Sequence, residues 1–459
     1  MALQELIIAN YEEAFGAGHS LTLEALFLPV EAYEVSGDYL GAAEMLQGVC
    51  GLFAESLSVY HPKTSECDVS LAYNLREAGR LSEAEATLQS IVANIAASSD
   101  VINEVAVGVL MNLADLRSLR GDNQGAKEML SGLIMTARQI GAIEESYNGK
   151  NYLARALTSE GQLDEAEMLL QDLVTYGATA WSQQEPISYY NSLLELGDNY
   201  QRQSRLADAE AIFEESLAAL LELAGDQHPS TLVAMNNLGN IYEQLGLYDE
   251  AEPILKQTLA GMETVFGRAN LQTTSTRNNL ALLHESQGNF REAEPLYLSS
   301  YEYLVGEFGD DHAATLAVQN NLAYLYMMMG EYEGATAMFE DLVERWSLLL
   351  GPDHQDALKA RNNLGRAFQK QGMLAEAEQQ VSSALLARRQ NLGEKHIDTI
   401  RSRIDLGAIY LDQGRLDLAV EELQSALTLA ESVIGEQHPY TFEALNNLAR
   451  ALEIGRAHV

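Results

Sequence analysis

The chain has 459 residues, with 28 Lys and Arg against 67 Asp and Glu, a net charge of −39. A surface of that sign repels phosphate backbones, which excludes general nucleic-acid binding. No apolar run reaches the roughly 18 residues that a membrane-spanning helix needs, and Met1 to Phe15 lacks the basic-then-apolar order of a signal peptide.

The predicted elements follow a period. A turn residue recurs as Gly37, Gly79, Gly121, Gly161, Ser204, Gly246, Gly288, Gly330, Gly372 and Gly414, in steps of 42, 42, 40, 43 and then 42 five times. Alanine stands five residues after every one of them, from Ala42 and Ala84 to Ala377 and Ala419. A fixed period outranks local signals, because each unit can bury its apolar face only against its neighbours. Before the turn, Leu238, Ile241, Tyr242 and Leu245 share one helix face; after it, Ala251, Ile254, Leu255 and Leu259 share another. The pattern predicts helix, turn, helix, with Gly relieving the turn backbone and Ala letting the two helices approach. Asp249, Glu250 and Glu252 suit the positive end of the second helix, and Pro253 and Pro295 fall in its first turn, where a missing N–H costs little.

Taken in order, residues 1–18 read as the second helix of an incomplete unit, 19–206 as divergent units and 207–452 as regular ones. Between Gly121 and Ser204 the period slips, and Tyr176 to Ile187 reads as a longer connection. A second mark, Gly225-Asp226-Gln227-His228-Pro229, closes a unit; its histidine returns at His312, His354, His396 and His438, Asn270 fills the gap, and His19 and His61 hold the same phase. Glu453 to Val459 departs from the repeat and matches the translation of a common sequencing adapter. It is set aside as a scar, and the natural chain is expected to continue past Leu452. Cys50 and Cys67 stand at no metal or redox spacing, which fits a reducing, cytoplasmic setting.

Asn-Asn-Leu-Ala/Gly-x-x-Tyr, Gly-x-Tyr-x-Glu-Ala-Glu-Pro and Gly-x-x-His-Pro together resemble the tetratricopeptide repeat, in the 42-residue form of kinesin light chains. The resemblance is strong from about Ala207 to Ala451 and recognisable from His19 onward. It implies an all-α, right-handed superhelical solenoid of antiparallel helix pairs whose concave groove holds peptides. It does not imply a kinesin subunit, because no heptad segment stands at the N-terminus and the repeats are more numerous.

No catalytic residue, metal site or cofactor is expected. Successive histidines of the repeat lie roughly 10 Å apart, about one helix-packing distance, too far to share an ion at bond lengths near about 2.0 Å. Capping of a loop is their plain role. Gly16-Ala17-Gly18 is no phosphate loop, since no strand precedes it and no Gly-Lys-Ser/Thr follows.

The resemblance places the groove on the first helices, where an Asn nine residues before the turn contacts the backbone of a bound peptide. Asn112, Asn237, Asn279, Asn321, Asn363 and Asn447 hold that position; Tyr152, Glu195 and Asp405 replace it. An Asn carries both donor and acceptor, so a ladder of them can pair with an extended segment without reading its sequence. The competing role is to bond neighbouring helices. Specificity falls to other inward positions: Tyr324, Met327 and Met328, then Lys359, Arg366, Lys370 and Arg401. Residues 354–403 hold nine Lys and Arg against five Asp and Glu, a net of +4 inside an acidic chain, although Arg388 and Arg389 on a second helix are placed to face outward. An apolar patch beside that stretch suits an acidic peptide with one aromatic or aliphatic anchor, the ligand type that kinesin light chains recognise. The expected function is therefore a scaffold or adaptor for segments of other proteins, without nucleic acid or membrane. A sensor arm of a larger caspase-like peptidase or nucleotide-switched ATPase is the alternative, and a structural spacer with an empty groove is the third.

Overall fold

The computed structural model describes residues 10–457, apart from 12, 15, 17, 18, 28, 31, 32, 34–38, 79, 99–103, 121, 183, 184 and 437. The half-unit expected over 1–18 falls largely outside that range, as do the turn residues Gly37, Gly79 and Gly121. Among the described residues there are twenty-one helices and no strand. A short α1 (Ser20–Ala25) precedes α2 (Tyr39–Leu57). Pairs follow: α3 (Pro62–Glu77) with α4 (Leu81–Ser98), α5 (Glu104–Leu119) with α6 (Asn123–Ile140), α7 (Ile143–Ser159) with α8 (Leu163–Ala180), and α9 (Pro186–Arg202) with α10 (Leu206–Ala224). The regular part pairs α11 (Pro229–Gln244) with α12 (Tyr248–Val265), α13 (Leu271–Ser286) with α14 (Phe290–Phe308), α15 (Ala313–Met329) with α16 (Tyr332–Leu350), α17 (Gln355–Lys370) with α18 (Leu374–Asn391), and α19 (Ile397–Asp412) with α20 (Leu416–Val433). The last helix is α21 (Pro439–Ala457).

The periodic residues do what the pattern requires. Every described turn residue has a positive φ, from 61° at Ser204 to 94° at Gly330. All ten alanines five residues after the turn are 0 % exposed. Opposite them, a Cβ added at Gly197, Gly239, Gly365 or Gly407 would lie 2.4–2.7 Å from Phe213, Leu255, Val381 or Leu423. The two helices of a pair therefore touch backbone to side chain at that level.

The slipped steps have a simple origin. A regular link between pairs has four or five residues, Gly309 to His312 or Leu392 to His396 for example, whereas α6 and α7 are joined by Gly141 and Ala142 alone. The link from α8 to α9 runs from Trp181 to Glu185. The short α6–α7 link brings that step down to 40 residues. The 43-residue step keeps a link of regular length and gains its extra residue in α9, which has 17 residues where α17 and α19 have 16. The long connection expected over 176–187 is thus corrected: residues 176–180 belong to α8. Tyr176 stacks on Tyr147 at 3.7 Å and meets Trp181 edge-on at 5.3 Å, which holds that last turn in helical form.

The repeating histidines are helix caps. In His19, His61, His228, His312, His354, His396 and His438, Nδ1 accepts the backbone N–H two residues on at 3.1–3.3 Å. Asn270 performs the same task with Oδ1, accepting from Gln272 N at 2.7 Å. Each satisfies one N–H that the first turn of a helix leaves over.

A disulfide joins Cys50 on α2 to Cys67 on α3, with Cα atoms 5.4 Å apart. The sequence reading left both cysteines unjoined, since 17 residues of separation mean nothing until two helices bring them face to face. Disulfides persist in oxidising compartments, so cysteine usage no longer argues for a reducing one. No helix among the described residues is long and apolar enough to cross a membrane.

Contacts divide the chain into two compact units. One comprises Met1–Asn199, Ala211–Met235 and Gln257–Thr276; the other Tyr200–Glu210, Asn236–Lys256 and Arg277–Val459. The second unit contains contacts between residues far apart in sequence. His396 Nε2 lies 3.2 Å from the carbonyl oxygen of Arg202, and His438 Nε2 lies 2.6 Å from that of Gln244, both across 194 residues. Because Nδ1 of each ring accepts, the proton sits on Nε2, and Nε2–H donates to the carbonyl.

Candidate functional site

Apart from Asn112, which belongs to the first unit, the residues singled out for binding fall in the second. The asparagines form a spine along the first helices. Asn279 Nδ2 donates to Asn236 Oδ1 at 3.1 Å, Asn321 to Asn278 at 3.3 Å, and Asn363 to Asn320 at 3.4 Å. Each bond spans 43 residues, from the second Asn of one Asn-Asn pair to the first Asn of the pair before it. Asp405 continues this spine: its carboxylate accepts from Asn362 Nδ2 at 2.6 Å, again across 43 residues, with donor and acceptor exchanged. The competing role of the asparagines, bonding neighbouring helices, is therefore occupied. Asn279 and Asn321 retain 8 % and 9 % exposure and Asn363 only 2 %, while Asn237 is half-buried.

The other candidates separate into three groups. Met327 lies in the core, in one cluster with Phe339, Leu342, Trp346 and Phe368, whereas Met328 is exposed. Lys359 and Lys370 are exposed, and Lys359 Nζ donates to Asn321 Oδ1 at 3.4 Å. Tyr324, Arg366 and Arg401 converge. The Arg366 and Arg401 guanidinium carbons lie 5.2 and 5.7 Å from the Tyr324 ring centroid, and Arg401 also lies 5.4 Å from the Tyr440 ring. Arg401 is thus held between two aromatic faces.

The basic excess of 354–403 is met in part by Asp405 and Glu422, acids outside that stretch. Arg366 Nε stands 3.7 Å from Asp405 Oδ1. Burial opposes its charge, yet Tyr324 and Asp405 outweigh the burial and hold its pKa above the ordinary arginine value. Arg389, expected to face outward, contacts Glu394 at 3.2 Å and Glu422 at 3.6 Å. Arg388 corrects the expectation outright: it is 2 % exposed, and Nη1 donates to the Asp398 carbonyl at 3.0 Å and to Ser402 Oγ at 2.7 Å. Ser402 Oγ–H passes the chain on to Asn362 Oδ1 at 2.8 Å. A buried polar path therefore runs Arg388, Ser402, Asn362, Asp405, and links three helices.

Two further acids face Lys359 and Arg401. Burial raises the Glu243 carboxyl above its usual range, against a hydrogen bond from Ser286 and the two cations. Burial pushes Glu285 up to about 8, although Tyr297 donates to it at 3.2 Å. Its folded value lies above the ordinary 4.5, so the contribution of Glu285 to stability is complete below pH 4.5 and lost as the pH rises through about 8. Glu285→Gln keeps an acceptor for Tyr297 and removes the charge. The variant is expected to lose less thermal stability than the parent between pH 6 and about 8.5, and parallel melting curves across that range would refute the assignment. His228 and His438 work in the opposite sense, burial holding them below 6.5, so their contribution is full above pH 6.5 and fades as the pH falls. They do not obscure the Glu285 window.

Sequence reasoning missed a polar cluster in the first unit. Asp115, 2 % exposed, takes Arg76 and Arg155, each at 3.3 Å, and Arg155 Nε stands 3.8 Å from Glu195. Tyr152 OH donates to Asn112 Oδ1 at 3.3 Å, so a replaced ladder position still bonds to the ladder of the repeat before. Beside it, Val69, Ser70, Tyr73, Arg76, Leu88, Asn112 and Leu116 line a cavity of about 320 Å³. One signal was available: Arg155 stands six residues before its turn, the register of Tyr324 and Arg366. Among the described residues no three His, Cys, Asp or Glu side chains could hold a metal ion together.

Residues 189–264, 272–341, 314–390, 369–432 and 398–458 match a family profile described as tetratricopeptide repeat. Solved structures of similar fold include a Rap protein complexed with Competence and Sporulation Factor, 10 % identical, with a TM-score of 0.53 over 86 % of this chain and 98 % of that one. TPR-like repeats of Podosopora anserina, described as nearly identical repeats of a kinesin light chain, are 24 % identical over 45 % of this chain and 98 % of theirs, with a TM-score of 0.36. BtubC (BKLC) from P. vanneervenii is 20 % identical over 51 % of this chain and 94 % of that one, with a TM-score of 0.38. No curated protein sequence matches.

Proposed function

Because the chain belongs to the tetratricopeptide repeat family, we propose that it is a scaffold or adaptor that holds extended segments of partner proteins on the first-helix wall of its second unit. The fold neighbour solved complexed with Competence and Sporulation Factor supports binding of such a ligand by this architecture. The observation that carries the reading is the convergence of Tyr324, Arg366 and Arg401, with Lys359 and Lys370 exposed nearby on the same helix face positions. Aromatic faces beside guanidinium and ammonium groups suit a segment with acidic residues and one apolar anchor. Asn237, Asn279 and Asn321 are assigned the backbone of that segment, using the amide N–H and lone pair that the spine leaves over, whereas the enclosed Asn363 is taken up by the spine. Of the methionines, Met328 and not the buried Met327 meets the anchor. The reading involves no catalytic step.

Lys359→Glu combined with Arg401→Glu is expected to abolish capture of a fluorescent acidic peptide carrying one aromatic residue, with helical circular dichroism unchanged. Since Arg401 lies between two rings, a companion variant uses only exposed positions. Lys359→Glu with Lys370→Glu should weaken capture at least about tenfold. Equal binding by parent and companion sinks the groove assignment.

A further inference from the structure

The bonds across 194 residues in the second unit do not stand alone. Ile397 N lies 3.5 Å from Ser204 Oγ, and a Cβ placed on Gly246 would lie 2.8 Å from the Pro439 ring. The starts of α19 and α21 thus rest on the turns that follow α9 and α11. On the inner side, Arg401 reaches both Tyr324 and Tyr440, and Glu243 lies in the field of Lys359 and Arg401. Part of the wall assigned to binding is in this way engaged by its own side chains, while Lys359 and Lys370 stay exposed.

We infer that His396 and His438 are straps that hold the second unit as a closed turn, and that an extended segment reaches the inner wall only when they part. The part that concerns the segment rests on the binding role proposed above. Each ring serves two purposes through two atoms: Nδ1 caps its own helix, and Nε2–H fastens a helix end more than four repeats away. Other caps in the same register show that the first purpose does not need the second. Asn270 caps with no ring, and His354 caps while its buried Nε2 finds no hydrogen-bond partner. A His→Asn change therefore keeps the cap and deletes the strap alone.

The test places spin labels on Ala207→Cys and Lys395→Cys, exposed positions on the two sides of the fastening. The native cysteines are joined and take no label. Dipolar broadening between the labels is expected in the parent and in His354→Asn, and its loss in the double variant His396→Asn, His438→Asn. The double variant should also take up the acidic fluorescent peptide several-fold faster in stopped flow. Broadening that survives in the double variant, or disappears equally in His354→Asn, overturns the straps. Loss of broadening with an unchanged association rate overturns the gate. A parent that captures no peptide counts against the binding role itself, while the labels still report on the straps.

Discussion

Arg388→Ala is expected to lower the stability of the surrounding repeats by about 3–5 kcal/mol, from a cavity in an enclosed site together with two buried acceptors stripped of their donor. The guanidinium of Arg388 is enclosed, and its Nη1 satisfies the Asp398 carbonyl and the Ser402 hydroxyl, which in turn holds Asn362. Alanine leaves a void where one of the two largest enclosed side chains among the described residues stood, and strips a donor from two buried acceptors. Arg388→Met separates these causes. It restores most of the volume without the donor, so it should recover roughly half of the loss. Hydrogen exchange of α17 to α19 checks both, because local opening is read there without assuming that a repeat array unfolds in one step. Exchange in Arg388→Ala as slow as in the parent would show that the buried path carries no stability.

Gly365→Val is expected to separate α17 from α18. A Cβ at Gly365 would lie 2.4 Å from Val381 Cγ2 and 3.1 Å from the Ala377 carbonyl oxygen. The side chain can turn aside, but the carbonyl belongs to a helix whose Ala377 is itself fully enclosed. Overpacking against backbone costs roughly 3 kcal/mol or more. Gly334→Ala on α16 is the control, since nothing lies within 4 Å of a Cβ there. A thermal midpoint shared by Gly365→Val and Gly334→Ala would mean that the pair tolerates a wider gap than its geometry states.

The helix pairs were legible because they are local. A turn glycine, an alanine five residues on and a capping histidine act within one unit, and repetition multiplies each signal. The family followed from the same residues. The site was legible only as a set of positions. Tyr324, Arg366 and Arg401 do share a wall, but Met327 turned into the core and Asn363 was consumed by the spine, because inward helical positions divide between wall and core within a single turn. Arg388 was misplaced for a related reason: an arginine on a second helix reads as solvated until a partner on the next first helix is known. The Cys50–Cys67 bond and the 194-residue fastenings were out of reach. Both depend on the rotation from one repeat to the next, which accumulates in space and leaves no mark in the period.

That fastening limits how the array can vary. An ordinary solenoid gains or loses whole repeats with little penalty, since every repeat meets only its neighbours. Here each strap joins a helix start to one particular turn 194 residues earlier, so it meets its carbonyl only at one repeat count. Deleting or duplicating a repeat between Gln244 and His396 would bring both histidines opposite the wrong turn. The stretch is held to a fixed number of units, as a ring is, although its chain is open.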